Sequence, residues 1–246
     1  MQKIKIISKP DEQNPFAIIY KPQGLPSAPL STEDKNNALS QAEILFPKIA
    51  NVKDKKEIEH GLLHRIDTET EGLLLLAETQ DFYDFMQINQ KNGKFIKIYR
   101  AECSSILQEE KKEGFPLIDE KTKDSILSGK AVKIESYFRN FGKGQKEVRP
   151  VTEFSGKAAL KKLGKQKKYS TQINLISEEN GKYIFECRIE SGYRHQVRCH
   201  LAWLGFPVCG DSVYNPQFKD GEHLKFKAIG LQFENPITKK TVSVFI

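Results

Sequence analysis

The most constraining feature of this chain is the almost unbroken apolar run Gly72-Leu-Leu-Leu-Leu-Ala77. A strand of this composition must be buried, and it needs only a short polar turn beside it to bring the chain back to solvent. The residues before it, H-R-I-D-T-E-T-E (64–71), supply much more than a turn requires, with His64, Arg65 and Asp67 inside four residues. A second apolar segment, Gly61–Ile66, precedes them, so Asp67 is expected in a short loop between two strands. There its backbone would be rigid while its side chain points outward, a mounting suited to a catalytic carboxylate. The plainer reading is an aspartate that fixes a turn through its own backbone. Arg65 would share one side of a regular strand with Asp67 and can pair with a carboxylate or phosphate. His64 is opposite in phase, where a core histidine also fits.

The remaining pattern alternates short strands and helices. Residues 16–20 read as a buried strand closed by the turn K-P-Q-G-L-P-S, and 36–50 carry helical spacing that Pro47 interrupts. Thr79 caps a helix from Gln80 or Asp81, with Phe82, Phe85 and Met86 inward and Asn92-Gly93 at its end. Residues 95–103 alternate as a strand that places Tyr99 beside Ala101 and Cys103. Residues 104–150 are the least periodic, with some strand expected at Val132–Phe138. A hairpin follows over 170–190 on an Asn-Gly turn, then a helix from about Arg194 to Leu204 stopped by Gly205. Strands Ala228–Phe233 and Thr241–Ile246 close the chain. The expectation is an α+β domain with a largely antiparallel mixed sheet flanked by helices and loops.

Charge narrows the partners. The net charge is +7, and residues 155–171 hold six lysines (Lys157, Lys161, Lys162, Lys165, Lys167, Lys168) with no acid. Such a patch suits a polyanion, against the alternative of a merely solvated loop. No run approaches the roughly 20 apolar residues of a membrane span, and the N-terminus lacks a secretory apolar region. The four cysteines show no C-x-x-C or zinc spacing, which fits free thiols in the cytoplasm. Phosphate-binding glycine loops, H-E-x-x-H and nucleophile-elbow sequences are absent.

A second constellation is S-G-Y-R-H-Q-V-R-C-H-L-A-W-L-G (191–205). Arg194, His195 and Arg198 would crowd the start of a helix, where cations oppose its dipole. An anion, either a carboxylate or a phosphate, would offset that cost. Arg194 and Arg198 would lie on one helical face.

Together these segments resemble the RluA family of RNA pseudouridine synthases. HRIDTETEGLLLLAET resembles the family's H-R-L-D-x-x-T-S-G-L-L-L-x-A-K-T block, KIYRAEC its K-x-Y-x-A segment, and SGYRHQVRCHLAWLGFPVCGDSVYN its G-R-T-H-Q-I-R-x-H-L-x-x-L-G-x-P-I-x-G-D-x-x-Y block. IIYKPQGLPS and AIGLQFENPIT resemble its opening and closing strands. The blocks occur in family order from about residue 16 to the C-terminus. The resemblance implies the pseudouridine synthase fold and isomerisation of uridine to pseudouridine in structured ribosomal or transfer RNA. It assigns Asp67 as catalytic aspartate, Tyr99 as active-site tyrosine and Arg198 as the arginine pairing with that aspartate. Arg65, His64, Arg194 and His195 become substrate-binding candidates, and the six lysines RNA-binding ones. No cofactor, metal or membrane is implied, and a cytoplasmic monomer is expected. Residues 1–246 would form a single catalytic domain with a charged insertion at about 104–170 and no separate N-terminal RNA-binding domain. Glu71 stands where the family has serine, Tyr193 where it has arginine and Arg194 where it has threonine. These departures bear on substrate preference. Two competing readings are a catalytically silent RNA-binding protein on the same fold, and a carboxylate-dependent hydrolase needing Glu69 or Glu71 as its second acid.

Overall fold

A computed structural model of the chain describes residues 2–106, 114–117, 120–161, 163 and 167–246. In chain order the regular elements are β1 (Lys5–Ser8), β2 (Phe16–Lys21), α1 (Ala38–Leu45), β3 (Glu71–Ala77), α2 (Gln80–Lys91), β4 (Ile96–Ser104), α3 (Glu120–Leu127), β5 (Val132–Phe141), β6 (Glu147–Val151), α4 (Lys157–Lys161), β7 (Tyr169–Glu179), β8 (Lys182–Ile189), α5 (Gln196–Leu204), β9 (Phe226–Glu234) and β10 (Thr241–Phe245). They fall into two compact units, Met1–Lys97 with Lys227–Ile246, and Ile98–Phe226.

In the first unit the strand order is β1-β2-β3-β9, with β10 on β9. The apolar run forms β3, and Leu73–Ala77 are all closed to solvent. Leu73, Leu75 and Ala77 pack with Phe16, Ile18, Phe82, Met86 and Phe95 on one face. Leu74 and Leu76 are equally buried on the other, which is why this strand does not alternate. Truncating one of these leucines to alanine costs about 2–5 kcal/mol. Antiparallel β2 pairs along its full length, Phe16↔Ala77 to Lys21↔Gly72. Parallel β9 pairs at Glu71 and Gly72. There Gly72 sits at φ +127°, and a Cβ would lie 2.2 Å from the Ala228 carbonyl oxygen, so only glycine permits this approach.

Past Gly72 a different segment takes that edge of β3. The expected strand at Gly61–Ile66 is an irregular extended segment, bridged to β3 at Leu62↔Leu76. Leu63 N–H donates to Leu75 O (3.1 Å) and Ala77 N–H to Gly61 O (2.7 Å). It leaves the ladder early because the chain must turn away to form the Asp67 loop. Thr79 caps α2 as expected, its hydroxyl accepting from Phe82 N–H at 3.4 Å. Such a cap contributes about 1 kcal/mol.

The second unit runs β4-β8-β7-β5-β6. Its hairpin β7–β8 turns on Asn180 (φ 52°) and Gly181 (φ 73°), the left-handed pair that an Asn-Gly loop favours. In the segment of least periodicity, β5 runs on to Phe141 and returns as β6, more strand than the sequence indicated. Helix α5 begins at Gln196, two residues later than expected, and every one of its residues is buried. The α+β class and the largely antiparallel mixed arrangement hold.

Candidate active site

The register of β2 on β3 sets Lys21 opposite Gly72. The loop leaving β2 therefore lies against the loop entering β3, the one carrying Asp67. Lys21 is fully buried, and its ammonium donates to the carbonyls of Pro22 (3.1 Å), Leu25 (2.6 Å) and Thr68 (3.0 Å). Gly24 N–H reaches Thr68 O at 2.8 Å, and Gln23 Nε2 reaches Glu69 O at 2.9 Å. Ser27 Oγ donates to Ile66 O (2.7 Å) and accepts from Ile66 N–H (3.1 Å). Within the loop, Thr70 N–H closes a turn on Asp67 O at 3.0 Å. The peptide groups on both sides of Asp67 are thus fixed, while its side chain stays part-exposed. Burial pulls the Lys21 ammonium down to about 8, with Asp67, Glu69 and Glu71 acting to keep it charged.

Glu71 accepts from the Tyr20 hydroxyl and from Lys227 Nζ at 2.9 Å. Burial would raise its carboxyl, but these partners outweigh that and hold it below the usual value. A hydrolase would need a carboxylic acid held protonated, and Glu71 is held the other way.

His64 Nε2 accepts from Leu75 N–H at 3.2 Å, and its ring meets Phe95 edge-on at 5.3 Å. The imidazole therefore stands in for a ladder carbonyl where the segment has left β3. Burial, with a contribution from Lys97, pulls it down to about 3, so the ring is neutral and able to accept. Arg65 is exposed and pairs with Glu59 at 3.0 Å.

In the second unit Tyr99 is buried, stacked on Phe226 with centroids 5.1 Å apart and planes 8° from parallel. Arg198 makes a two-pronged pair with Asp211, Nε to Oδ2 and Nη2 to Oδ1, both at 2.8 Å. Asp211 also accepts from Val213 N–H (2.9 Å) and Tyr214 N–H (3.1 Å). Burial opposes its charge, yet Arg198 and these amides keep its carboxyl below the ordinary range. Asp211 is thus a carboxylate partner for the cations near the start of this helix.

The later start of α5 removes Arg194 from the helix, so the shared Arg194/Arg198 face does not form. Arg194 instead donates to Asn140 Oδ1 (3.3 Å) and to the carbonyls of Gln145 and Glu147, clasping the β5–β6 hairpin. His195 occupies the position before the helix in a left-handed conformation (φ 56°), with Nδ1 3.2 Å from the Tyr214 hydroxyl. Tyr214 in turn donates to Val148 O at 3.2 Å.

On β7, Thr171 Oγ1 accepts from Gln196 Nε2 (3.2 Å) and also hydrogen-bonds His200 Nδ1 of α5 (2.8 Å). His200 Nε2 hydrogen-bonds Ser136 Oγ at 2.9 Å, so both ring nitrogens are satisfied.

The resemblance expected Arg198 to pair with Asp67; the pair described is with Asp211, while Asp67 stands on a fixed loop after K-P-x-G and Tyr99 is buried on β4. A family model described as RNA pseudouridylate synthase matches residues 15–203, spanning all three. The chain belongs to the RNA pseudouridylate synthase family. Among curated relatives, the Neisseria meningitidis serogroup A protein named ribosomal large subunit pseudouridine synthase D is 24% identical, over 94% of this chain and 55% of its own length. A Helicobacter pylori (strain J99) uncharacterized RNA pseudouridine synthase is 27% identical over 71% of this chain and 61% of its own. The chain thus spans a little over half the length of these relatives. The human RNA pseudouridylate synthase domain containing 1 structure superposes with a TM-score of 0.66 at 17% identity, covering 99% of this chain and 83% of that one. The domain containing 4 structure gives 0.59 at 18% identity, covering 98% and 87%. These two likenesses establish the fold.

Within this family frame the sequence reading singled out neither Lys21 nor Asp211. Both stood in quoted blocks, K-P-x-G and G-D-x-x-Y, but nothing local shows that a lysine will be buried or which arginine an aspartate will meet. Of the six lysines, Lys157 and Lys161 bound α4 and are exposed. Lys168 pairs with Glu153 at 3.5 Å, and Lys167 lies 5.1 Å over the Tyr169 ring. Lys162 and Lys165 lie outside the described residues.

Proposed function

We propose that this chain is an RNA pseudouridine synthase that isomerises uridine in structured RNA, with Asp67, Tyr99 and Arg198 as its catalytic residues. The observation that carries this reading is the clamped loop around Asp67. Five peptide or side-chain bonds from residues 21–27 hold the backbone on either side of one part-exposed carboxylate. The reaction breaks the N1–C1′ bond of uridine, turns the uracil and joins C5 to C1′. N1 gains a proton and C5 loses one, so the reaction balances without a cofactor. Asp67 supplies negative charge to the sugar carbon as the glycosidic bond breaks. Arg198, gripped by Asp211, is the arginine that the family resemblance assigns to this chemistry. Tyr99, with one ring face set on Phe226, offers its other face and its hydroxyl to the uracil. The uridine must leave its stack to reach them, and basic side chains hold the flanking backbone. The relatives named for the large ribosomal subunit make ribosomal RNA the first substrate to try.

The test is Asp67→Asn, which keeps size and hydrogen bonding but removes the charge. The variant should fold and bind RNA yet release no tritium from 5-tritiated uridine in ribosomal RNA. Turnover comparable to the unaltered chain would remove Asp67 from the mechanism, and bound RNA with no turnover in either protein would leave a silent RNA-binding protein.

A further inference from the structure

The clamped loop leaves unused a groove in the second unit, about 430 Å³ in volume and lined by Phe115, Pro116, Arg139, Pro150 and Phe154. That volume lies in the range of small-ligand sites. Phe154 is 89% exposed, an aromatic ring held in water. A lone exposed apolar residue needs no explanation, but this one shares its groove with a guanidinium. Arg139 faces Arg149 across the β5–β6 pair, and both lie over the Phe141 ring, at 4.9 and 3.3 Å. Arg149 is buried and paired with Glu147 at 2.8 Å. Arg139 forms no ion pair among the described residues, and its guanidinium lies beside Gly114.

Charge identifies the occupant. Residues 139–168 hold ten lysines and arginines against two carboxylates, whereas the whole chain has an excess of only seven. The segment of chain that carries Arg139, Pro150 and Phe154 is therefore strongly basic. A planar ring and a guanidinium fork lining one groove, on a basic stretch of chain, match a base and its phosphate.

We propose that this groove binds an unpaired nucleotide of the RNA away from the reacting uridine, its base stacked on Phe154 and its phosphate on Arg139. The inference rests on RNA being the ligand, as proposed above, and not on the isomerisation. The base must be unpaired, because a duplex offers no open face to a side chain. The site gives the insertion a role in choosing RNAs that carry a single-stranded segment.

The experiment uses the full chain and two probes, a fluorescein-labelled ten-nucleotide oligouridine and a ten-base-pair RNA duplex. Phe154→Ala should weaken oligouridine binding about tenfold and duplex binding less than twofold. Phe154→Trp should restore affinity, and the emission of the new indole should be quenched by oligouridine, since the native Trp203 is buried. Arg139→Gln should weaken oligouridine binding and lower its salt slope by about one. Unchanged affinity in both Phe154→Ala and Arg139→Gln overturns the proposal, as does equal loss for single strand and duplex. Quenching of the Phe154→Trp emission by a polyglutamate peptide but not by oligouridine overturns it in favour of a protein partner. Phe154-dependent binding in a chain that turns over no uridine would remove the enzymatic reading alone. Turnover with no Phe154 dependence would remove the groove alone.

Discussion

Arg198 grips Asp211 through two parallel hydrogen bonds of 2.8 Å, with the two side chains 6% and 0% exposed. A pair so placed gains little by existing, because removing both charges from water costs about as much as their attraction returns. It matters because removing either half takes a close partner from a buried charge. Asp211→Asn should therefore destabilise the chain by about 3–5 kcal/mol, seen as a lower urea midpoint with an unchanged slope. An Arg198→Met, Asp211→Leu double variant should be more stable than Asp211→Asn. A midpoint unmoved by Asp211→Asn would show the pair to be dispensable.

Lys21 is the corresponding fastener of the Asp67 loop. Lys21→Met leaves the carbonyls of Pro22, Leu25 and Thr68 without their ammonium, at about 1–3 kcal/mol in stability. Turnover at saturating RNA should fall while RNA affinity changes little, since the loop positions a carboxylate and not the backbone contacts. Lys21→Arg should not rescue, because a guanidinium is too large for a fully enclosed site. Wild-type turnover in Lys21→Met would show that the loop holds without its clip.

His200 makes stability pH-dependent on the acid side. Burial lowers it from 6.5 to about 3, so between those values the unfolded chain binds a proton that the folded one refuses. Stability is then complete above about pH 6.5 and falls as pH drops toward 3. His200→Gln, which can still bond Ser136 and Thr171, should flatten the stability profile between pH 6.5 and 4. Parallel profiles for the two proteins would assign the acid sensitivity elsewhere.

If the six lysines contact RNA backbone, they set the salt dependence of binding. Changing Lys157, Lys161, Lys162, Lys165, Lys167 and Lys168 to glutamine should weaken binding across RNA sequences and flatten the plot of affinity against salt. Turnover at saturating RNA should be preserved, because phosphate contacts position without doing chemistry. An unchanged salt slope would return the segment to a solvated loop.

Much of this was readable in one dimension because its causes are local. Leu73–Ala77 admit no exposed state, Thr79 caps whatever helix follows it, and Asn180-Gly181 accept a turn that other residues resist. The Asp67 loop was legible for the same reason, as a polar turn between segments that must be buried. What the sequence could not contain was partnership. Arg194 read as helical because its spacing from Arg198 is helical, yet its guanidinium closes on carbonyls of the β5–β6 hairpin, and His195 turns left-handed to start the helix after it. His64 could be placed only once β9 was seen to leave Leu75 N–H without a carbonyl. Lys21 looked like any lysine beside a proline until two loops folded their carbonyls around it. Propensity and burial follow from a residue and its near neighbours. The satisfaction of a buried charge or amide depends on whichever distant group the fold delivers to it, and only the tertiary structure decided that.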